Sequence, residues 1–254
     1  MNKSEILKLS KFITGSENDK KFFQRVWSTK QSIYLNRIKA INFIKNQNVL
    51  DAGCGFGQWS FSLAKMNKNV FAIDASKKRI NLCNKINQNL NYDNLVFSIG
   101  NVENLKFSNS YFNAIFAYGI LMTTNWKKTI KEFSRVLKKN GKLYITANEL
   151  GWYLYMLINN YNETSDYNTK QEFISTLKNT YSYKKNKNIK IKKGHLIIKV
   201  DDLIAECKKN NLKILKYADE GKIILNSKYK TNKSFFMGKY YDFPACYEVI
   251  LKKI

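Results

Sequence analysis

Between residues 49 and 145 five short apolar runs, at 49–50, 70–73, 95–99, 114–118 and 142–145, alternate with stretches of helical periodicity at 58–65, 77–88 and 127–138. Strands that take turns with helices are joined by crossovers, which lay the strands parallel in a sheet covered on both faces, so the alternation predicts the α/β class. The helix at 127–138 is predicted to stop at Asn140 and Gly141. Upstream, residues 17–46 place Phe22, Phe23, Val26, Trp27, Ile33, Tyr34 and Ile38 mostly three or four positions apart, which is helical spacing. Downstream, Asp201 and Asp202 open an amphipathic run ending at Asn210 and Asn211, and strand candidates follow at 212–217, 222–225 and 246–251. Residues 149–200 form an insertion too long for an ordinary connection. It holds the aromatic residues Trp152, Tyr153 and Tyr155, a predicted helix at 170–178, and a hairpin-like segment at 189–200 around Gly194. Long insertions at strand ends commonly carry function.

At 254 residues, with 16 Phe and 16 Tyr, the chain has apolar surface enough for a substantial core, and a single domain over 1–254 is expected. The formal charge of +25 suggests a polyanionic partner, but of the 44 basic residues only Arg25, Arg37, Arg79 and Arg135 are arginine. Phosphate and guanine recognition favours the bidentate guanidinium, whereas lysine here is spread nearly everywhere beside abundant asparagine, as a general compositional bias would leave it. Nucleic acid is therefore a possible partner and not the favoured one. Cys54, Cys83, Cys207 and Cys246 form no CxxC pair and have no histidine nearby, so no metal is expected and a reduced, cytoplasmic protein is the simplest account. No apolar run approaches the roughly 18 residues of a membrane span. The first residues carry Lys3, Glu5, Lys8 and Lys11 where a signal peptide would be apolar, so neither secretion nor insertion is expected.

Chemistry enters at Val49-Leu50-Asp51-Ala52-Gly53-Cys54-Gly55-Phe56-Gly57, where a buried strand feeds a glycine-rich turn that opens a helix. Such a turn lets backbone approach a ligand closely and offers it unpaired N–H groups. The spacing is G-x-G-x-G, not the G-x-G-x-x-G of dinucleotide enzymes. Asp74 ends the next strand, where a carboxylate can accept from two ribose hydroxyls; the alternative is that it caps the helix near Ser76. Together the two features favour a nucleoside-containing ligand.

With these residues the sequence resembles the class I methyltransferases that use S-adenosylmethionine, especially the small-molecule branch of quinone and related biosyntheses. Gly100-Asn101-Val102-Glu103-Asn104-Leu105 looks like the family's turn after strand three, and Arg135-Val136-Leu137-Lys138-Lys139-Asn140-Gly141 is similar to its "RVLKPGG" segment. The resemblance is close over about residues 48–147 and implies a Rossmann-like, seven-stranded, mostly parallel sheet of order 3-2-1-4-5-7-6 with the last strand antiparallel. It further implies that Asp51, Gly53, Gly55 and Gly57 hold the methionine end of the cofactor, Asp74 its ribose, and Asn101 with Val102 its adenine. Tyr118 and Gly119 would flank the sulfonium, and residues 1–46 would form a helical lid. Asn101 stands where the family usually has aspartate, although its amide oxygen can accept from an adenine amino group.

Methyl transfer to an acceptor, leaving S-adenosylhomocysteine as product, asks mainly for alignment and exclusion of water. A hydroxyl acceptor also benefits from a general base, worth about 10²- to 10⁴-fold. His195, the sole histidine, is the first candidate and Glu149, just past the fifth strand, the second; the competing readings are an exposed strand residue beside Gly194 and a solvated loop carboxylate. Trp27, Tyr34, Trp152, Tyr153 and Tyr155 are candidates for the acceptor pocket, with core packing as the alternative for each. Lys184, Lys185, Lys187, Lys190, Lys192 and Lys193 crowd one stretch of the insertion and could attract a phosphorylated or sugar-type metabolite, or simply keep a strand edge solvated. The leading expectation is a small-molecule O- or N-methyltransferase. An RNA methyltransferase gripping phosphates with the basic surface is the alternative, and a noncatalytic protein of the same fold is the third reading.

Overall fold

The computed structural model describes residues 3–186, 191, 193–229 and 233–254. The N-terminal helices α1 (Lys3–Lys8), α2 (Glu17–Ser28) and α3 (Gln31–Ala40) precede the alternating region. There β1 (Asn48–Ala52), β2 (Asn69–Asp74), β3 (Leu95–Ile99), β4 (Phe112–Tyr118) and β5 (Leu137–Asn148) are separated by α4 (Gln58–Ala64), α5 (Lys77–Leu90) and α6 (Trp126–Val136). The insertion folds as α7 (Leu150–Asn159) and α8 (Thr169–Lys185); then come α9 (Val200–Lys209), β6 (Leu212–Asp219), a small hairpin of β7 (Lys239–Tyr240) and β8 (Phe243–Pro244), and β9 (Cys246–Lys253). The seven-stranded sheet has the order β3-β2-β1-β4-β5-β9-β6, and β9 is antiparallel to both of its neighbours. That is the topology the resemblance implied, β9 being the seventh strand of this sheet in chain order.

The two faces of the sheet sort the side chains by parity, as a period of two requires. Along β4, Ala114 and Phe116 enter a core with Phe23, Ile38, Trp59 and Phe61, while Ile115 and Ala117 enter the opposite core with Phe133, Leu203 and Val249. Helix starts follow local capping chemistry: Ser16 accepts from the Asp19 N–H, and Asn125 from that of Lys128. Asn91 ends α5 at φ 54°, a left-handed position that asparagine tolerates.

Three local expectations are corrected. Helix α6 stops at Val136 instead of running to residue 138, because Leu137 is fully buried and pairs with Phe112 at the start of β5. Asn140 (φ 65°) and Gly141 then lie within β5, between the pairs Phe112–Leu137 and Ala114–Lys142, where the register shifts. Residues 222–225 are not a strand: the N–H groups of Leu225 and Asn226 donate to the Ala40 carbonyl at the end of α3. Residues 193–199 form no hairpin; Leu196 and Ile198 donate singly to the carbonyls of Met122, in the turn after β4, and Asn148, at the end of β5. The remainder of the expected hairpin, at 189–190 and 192, lies outside the described residues.

Candidate active site

Strands β1, β2 and β4 all end at one edge of the sheet, and their C-terminal ends open into a cavity of about 520 Å³. Crevices outside the carboxyl ends of parallel strands are the usual ligand sites of such sheets. The floor is the turn after β1. Gly53, Gly55 and Gly57 all have positive φ, and a Cβ on Gly53 would lie 2.6 Å from the Ile120 side chain. Asp74, only 8% exposed, ties the turn to β2: its carboxylate accepts from the Gly55 N–H at 3.0 Å and the Ser76 N–H at 2.8 Å. Beneath it Asp51 is buried and accepts from the Ser60 hydroxyl at 2.6 Å; burial above all, with the Asp74 charge adding to it, pushes its carboxyl up to about 7.

The walls are aromatic. Trp59 packs edge-on to Tyr34 and tilted against Tyr118, with ring centroids at 4.7 and 4.9 Å, and Phe235, Phe236 and Trp152 extend the surface. The roof comes from α2, whose Asp19, Phe22, Arg25 and Val26 line the cavity. Polar contacts clasp this helix to its neighbours: Asp19 pairs with Arg79 of α5 at 2.5 Å, Arg25 donates to Asn162 at 3.0 Å, and Ser165 donates to Glu17.

A buried ionic network stands behind one wall. Arg37 of α3 donates through one nitrogen to Glu220 at 2.9 Å and Glu248 at 3.0 Å, and through the other to the Lys233 carbonyl at 2.7 Å. Tyr118 donates to Glu220 at 2.9 Å and Tyr144 to Glu248 at 2.6 Å. Burial pushes the Glu248 carboxyl up, against the opposing pull of Arg37 and Tyr144, and pushes both tyrosine hydroxyls up. Sequence reading passed over this network. Its one signal was Glu248, a charge within the apolar run of β9; Glu220 follows β6 in a connection with no pattern of its own.

A methyltransferase-domain family model matches residues 44–226. The chain belongs to the class I S-adenosylmethionine-dependent methyltransferases. It is 30% identical over 182 residues to a "Probable cobalt-precorrin-6B C(15)-methyltransferase (decarboxylating)" of Methanococcus maripaludis, 71% of this chain and 91% of the relative. It is 36% identical over 124 residues to the ubiquinone/menaquinone biosynthesis C-methyltransferase UbiE of Rickettsia prowazekii, and there the chain spans only half the relative's length. Geranyl diphosphate C-methyltransferase of Streptomyces coelicolor A3(2), solved with Mg2+, geranyl diphosphate and S-adenosyl-L-homocysteine, shares the fold at 14% identity, with TM-score 0.62 over 95% of this chain and 84% of that one.

The methyltransferase cavity suits S-adenosylmethionine on its own geometry. At Gly119, which lines it with φ 70°, nothing lies within 4 Å of where a Cβ would stand, so this backbone borders open space. The Gln58 side-chain oxygen, at the first turn of α4, is buried on the lining with no hydrogen-bond partner, as a group reserved for a ligand would be. When bound, the cofactor supplies the transferable methyl on a positively charged sulfur.

Of the expected cofactor residues, Gly53, Gly55, Asp74, Tyr118 and Gly119 line the cavity. Asp51 and Gly57 lie beneath the turn, Gly57 against Phe61, Phe97 and Cys83. Asn101 is exposed, its side-chain oxygen accepting from the Glu103 N–H, and Val102 is buried in the opposite core. Of the expected acceptor residues, Tyr34 and Trp152 reach the lining. Trp27 donates to the Phe56 carbonyl and Tyr153 to that of Leu196, while Tyr155 packs on Tyr161 and Tyr240. His195 lines the cavity with 28% of its side chain exposed. Its Nδ1 has no hydrogen bond, the Glu172 carboxylate being 3.6 Å away, and burial pushes its pKa down to about 4. Glu149 is not on the lining: its carboxylate accepts from the Val200 N–H at 3.0 Å and so caps α9.

Proposed function

We propose that this methyltransferase transfers the methyl of S-adenosylmethionine to an oxygen, or a nitrogen, of a small ring-bearing metabolite held between the aromatic walls. The observation that carries the reading is the joining of two surfaces in one cavity. A glycine turn with a strand-end aspartate forms one end, and Tyr34, Trp59, Tyr118, Trp152 and Phe235 form the other. Flat apolar walls with a few polar groups are what a small planar acceptor needs for burial and orientation. The relatives named for cobalt-precorrin-6B and for ubiquinone and menaquinone act on small molecules, which agrees with this class of acceptor.

His195 is the residue assigned to the acceptor's proton. With its pKa near 4 the imidazole is neutral at physiological pH; its Nδ1 is buried 3.6 Å from Glu172, so the hydrogen bond to an acceptor hydroxyl is assigned to Nε2. A basic pKa that low favours a positioning hydrogen bond over strong proton abstraction. Asp51, Gly57, Asn101 and Val102 are assigned to the cofactor on the resemblance, and α2 with its neighbours to a lid over it. A phosphorylated or sugar-type acceptor draws no support from the lysine-rich stretch. Lys184, Lys185 and Lys193 are exposed and off the lining, and Lys187, Lys190 and Lys192 lie outside the described residues.

Calorimetric titration of S-adenosylmethionine and, separately, NAD into the protein and into Asp74→Ala tests the cofactor end. Selective binding of S-adenosylmethionine, weakened in the variant, is expected; binding of NAD alone would sink the reading. Radiolabelled methyl transfer to phenols, hydroquinones, phosphorylated sugars and RNA then tests the acceptor. Incorporation into RNA alone, with affinity falling steeply in salt, would replace the small molecule by a nucleic acid.

A further inference from the structure

Arg37, Glu220 and Glu248 are each at most 1% exposed, so one guanidinium serves two buried carboxylates. N–H donors fall on both oxygens of each carboxylate. Glu220 accepts from Arg37, Tyr118 and the N–H groups of Phe235 and Phe236; Glu248 accepts from Arg37, Tyr144 and the N–H of Ile223. Tyr144 already receives an Arg37 N–H at 3.4 Å, so its own hydrogen is turned to Glu248. These N–H donors, Arg37 with the Phe235 and Phe236 amides on Glu220 and Arg37 with the Ile223 amide on Glu248, favour the ionised form of both. The cluster therefore holds one positive and two negative charges, with no second cation in ion-pair reach of either carboxylate among the described residues.

A net negative charge out of water is costly until a cation approaches it. Among the described residues the cluster meets the cavity at Glu220 and Tyr118, and the Trp59 ring beside Tyr118 has a face that attracts cations, whereas Phe235 already lies under the Arg37 guanidinium. We propose that this wall is a receptor for a positive centre, and that it makes the site prefer a sulfonium to the neutral thioether left after transfer. The proposal rests on the cavity's being the S-adenosylmethionine site. In transfer the sulfur–methyl bond breaks, its electron pair returns to sulfur, the methyl bonds to the acceptor atom, and the acceptor's proton passes to solvent. Sulfur thus loses its charge and the product loses the wall's attraction, which limits product inhibition. A cationic acceptor would use the same wall, and the experiment separates the two sources.

Dissociation constants are measured by calorimetry for S-adenosylmethionine, S-adenosylhomocysteine and sinefungin, whose ammonium takes the place of the sulfonium. The proteins are wild type and Glu248→Gln; Glu248 is off the lining, so the substitution removes charge without altering the surface a ligand touches. Wild type is expected to bind both cationic ligands on the order of tenfold more tightly than S-adenosylhomocysteine. Glu248→Gln should narrow that ratio while binding S-adenosylhomocysteine at least as well, which a merely structural role would not do. If the variant does not fold, the wild-type ratio decides, and S-adenosylhomocysteine binding as tightly as the cations overturns the sulfonium assignment. Tetramethylammonium, titrated with S-adenosylhomocysteine saturating, then decides between an acceptor cation, if it binds, and no cation receptor at all, if it does not. Failure of all three nucleosides to bind overturns the cofactor reading itself.

Discussion

Asp51 offers a measurement in which charge, burial and ligand are separable. It is 2% exposed, its side-chain partner is the Ser60 hydroxyl, and burial raises its pKa from 3.8 to about 7. Below about pH 4 the carboxyl is protonated in folded and unfolded chains alike, and its contribution to stability is fully present. Between about pH 4 and about pH 7 the unfolded chain has released a proton that the folded chain keeps, so stability falls as pH rises, by roughly 1.4 kcal/mol per pH unit. Above about pH 7 both forms are ionised and the loss levels off at about 4 kcal/mol. Asp51→Asn carries no charge in either state. Its stability relative to wild type should therefore climb across that window and level off, as read by urea unfolding at about pH 5 and about pH 8. A difference that stays constant with pH would refute the reasoning, because a packing effect does not titrate. Were the cofactor's ammonium to pair with Asp51, as proposed, binding below about pH 7 would expel the proton, visible as a dependence of the calorimetric heat on buffer ionisation.

Gly53→Ala places a methyl 2.6 Å from the Ile120 side chain at φ 76°, and should cost about 1–3 kcal/mol while removing the thermal shift given by S-adenosylmethionine. Arg37→Met leaves two buried carboxylates without a cation and should lose about 3–5 kcal/mol in urea unfolding; adding Glu248→Gln should restore part of it. Glu149→Ala removes the cap on α9 and should cost about 1 kcal/mol with turnover unchanged, whereas a fall in kcat on the order of 10²-fold would make Glu149 the base.

The sheet was legible because its signals are local. The apolar run 114–118 and the turn 53–57 announce strand and ligand loop by spacing alone, and Asp74 by its place at a strand end. Local signals failed where a distant partner decided the outcome. Helical spacing through residue 138 yielded at Leu137 to burial beside Phe112, and residues 222–225 read as a strand until Ala40 took their N–H groups. Tyr153 and Trp152 are adjacent on α7, yet one donates to Leu196 and the other reaches the cavity, a division made by neighbours remote in sequence.

What the sequence determined by itself is the class of chemistry. A glycine turn between a buried strand and a helix, followed by an acidic strand end, depends on backbone geometry within short segments, and short segments carry their own conformational preferences. What only the tertiary structure decided is the character of the cavity wall at Tyr118. Arg37, Tyr118, Tyr144, Glu220 and Glu248 come from four strands and helices and the segment after β6, as much as 211 residues apart along the chain. Each alone reads as an ordinary polar residue. Only when folding removes them from water together does their charge become uncompensated, because electrostatic energy depends on distance and burial, and neither is written in spacing.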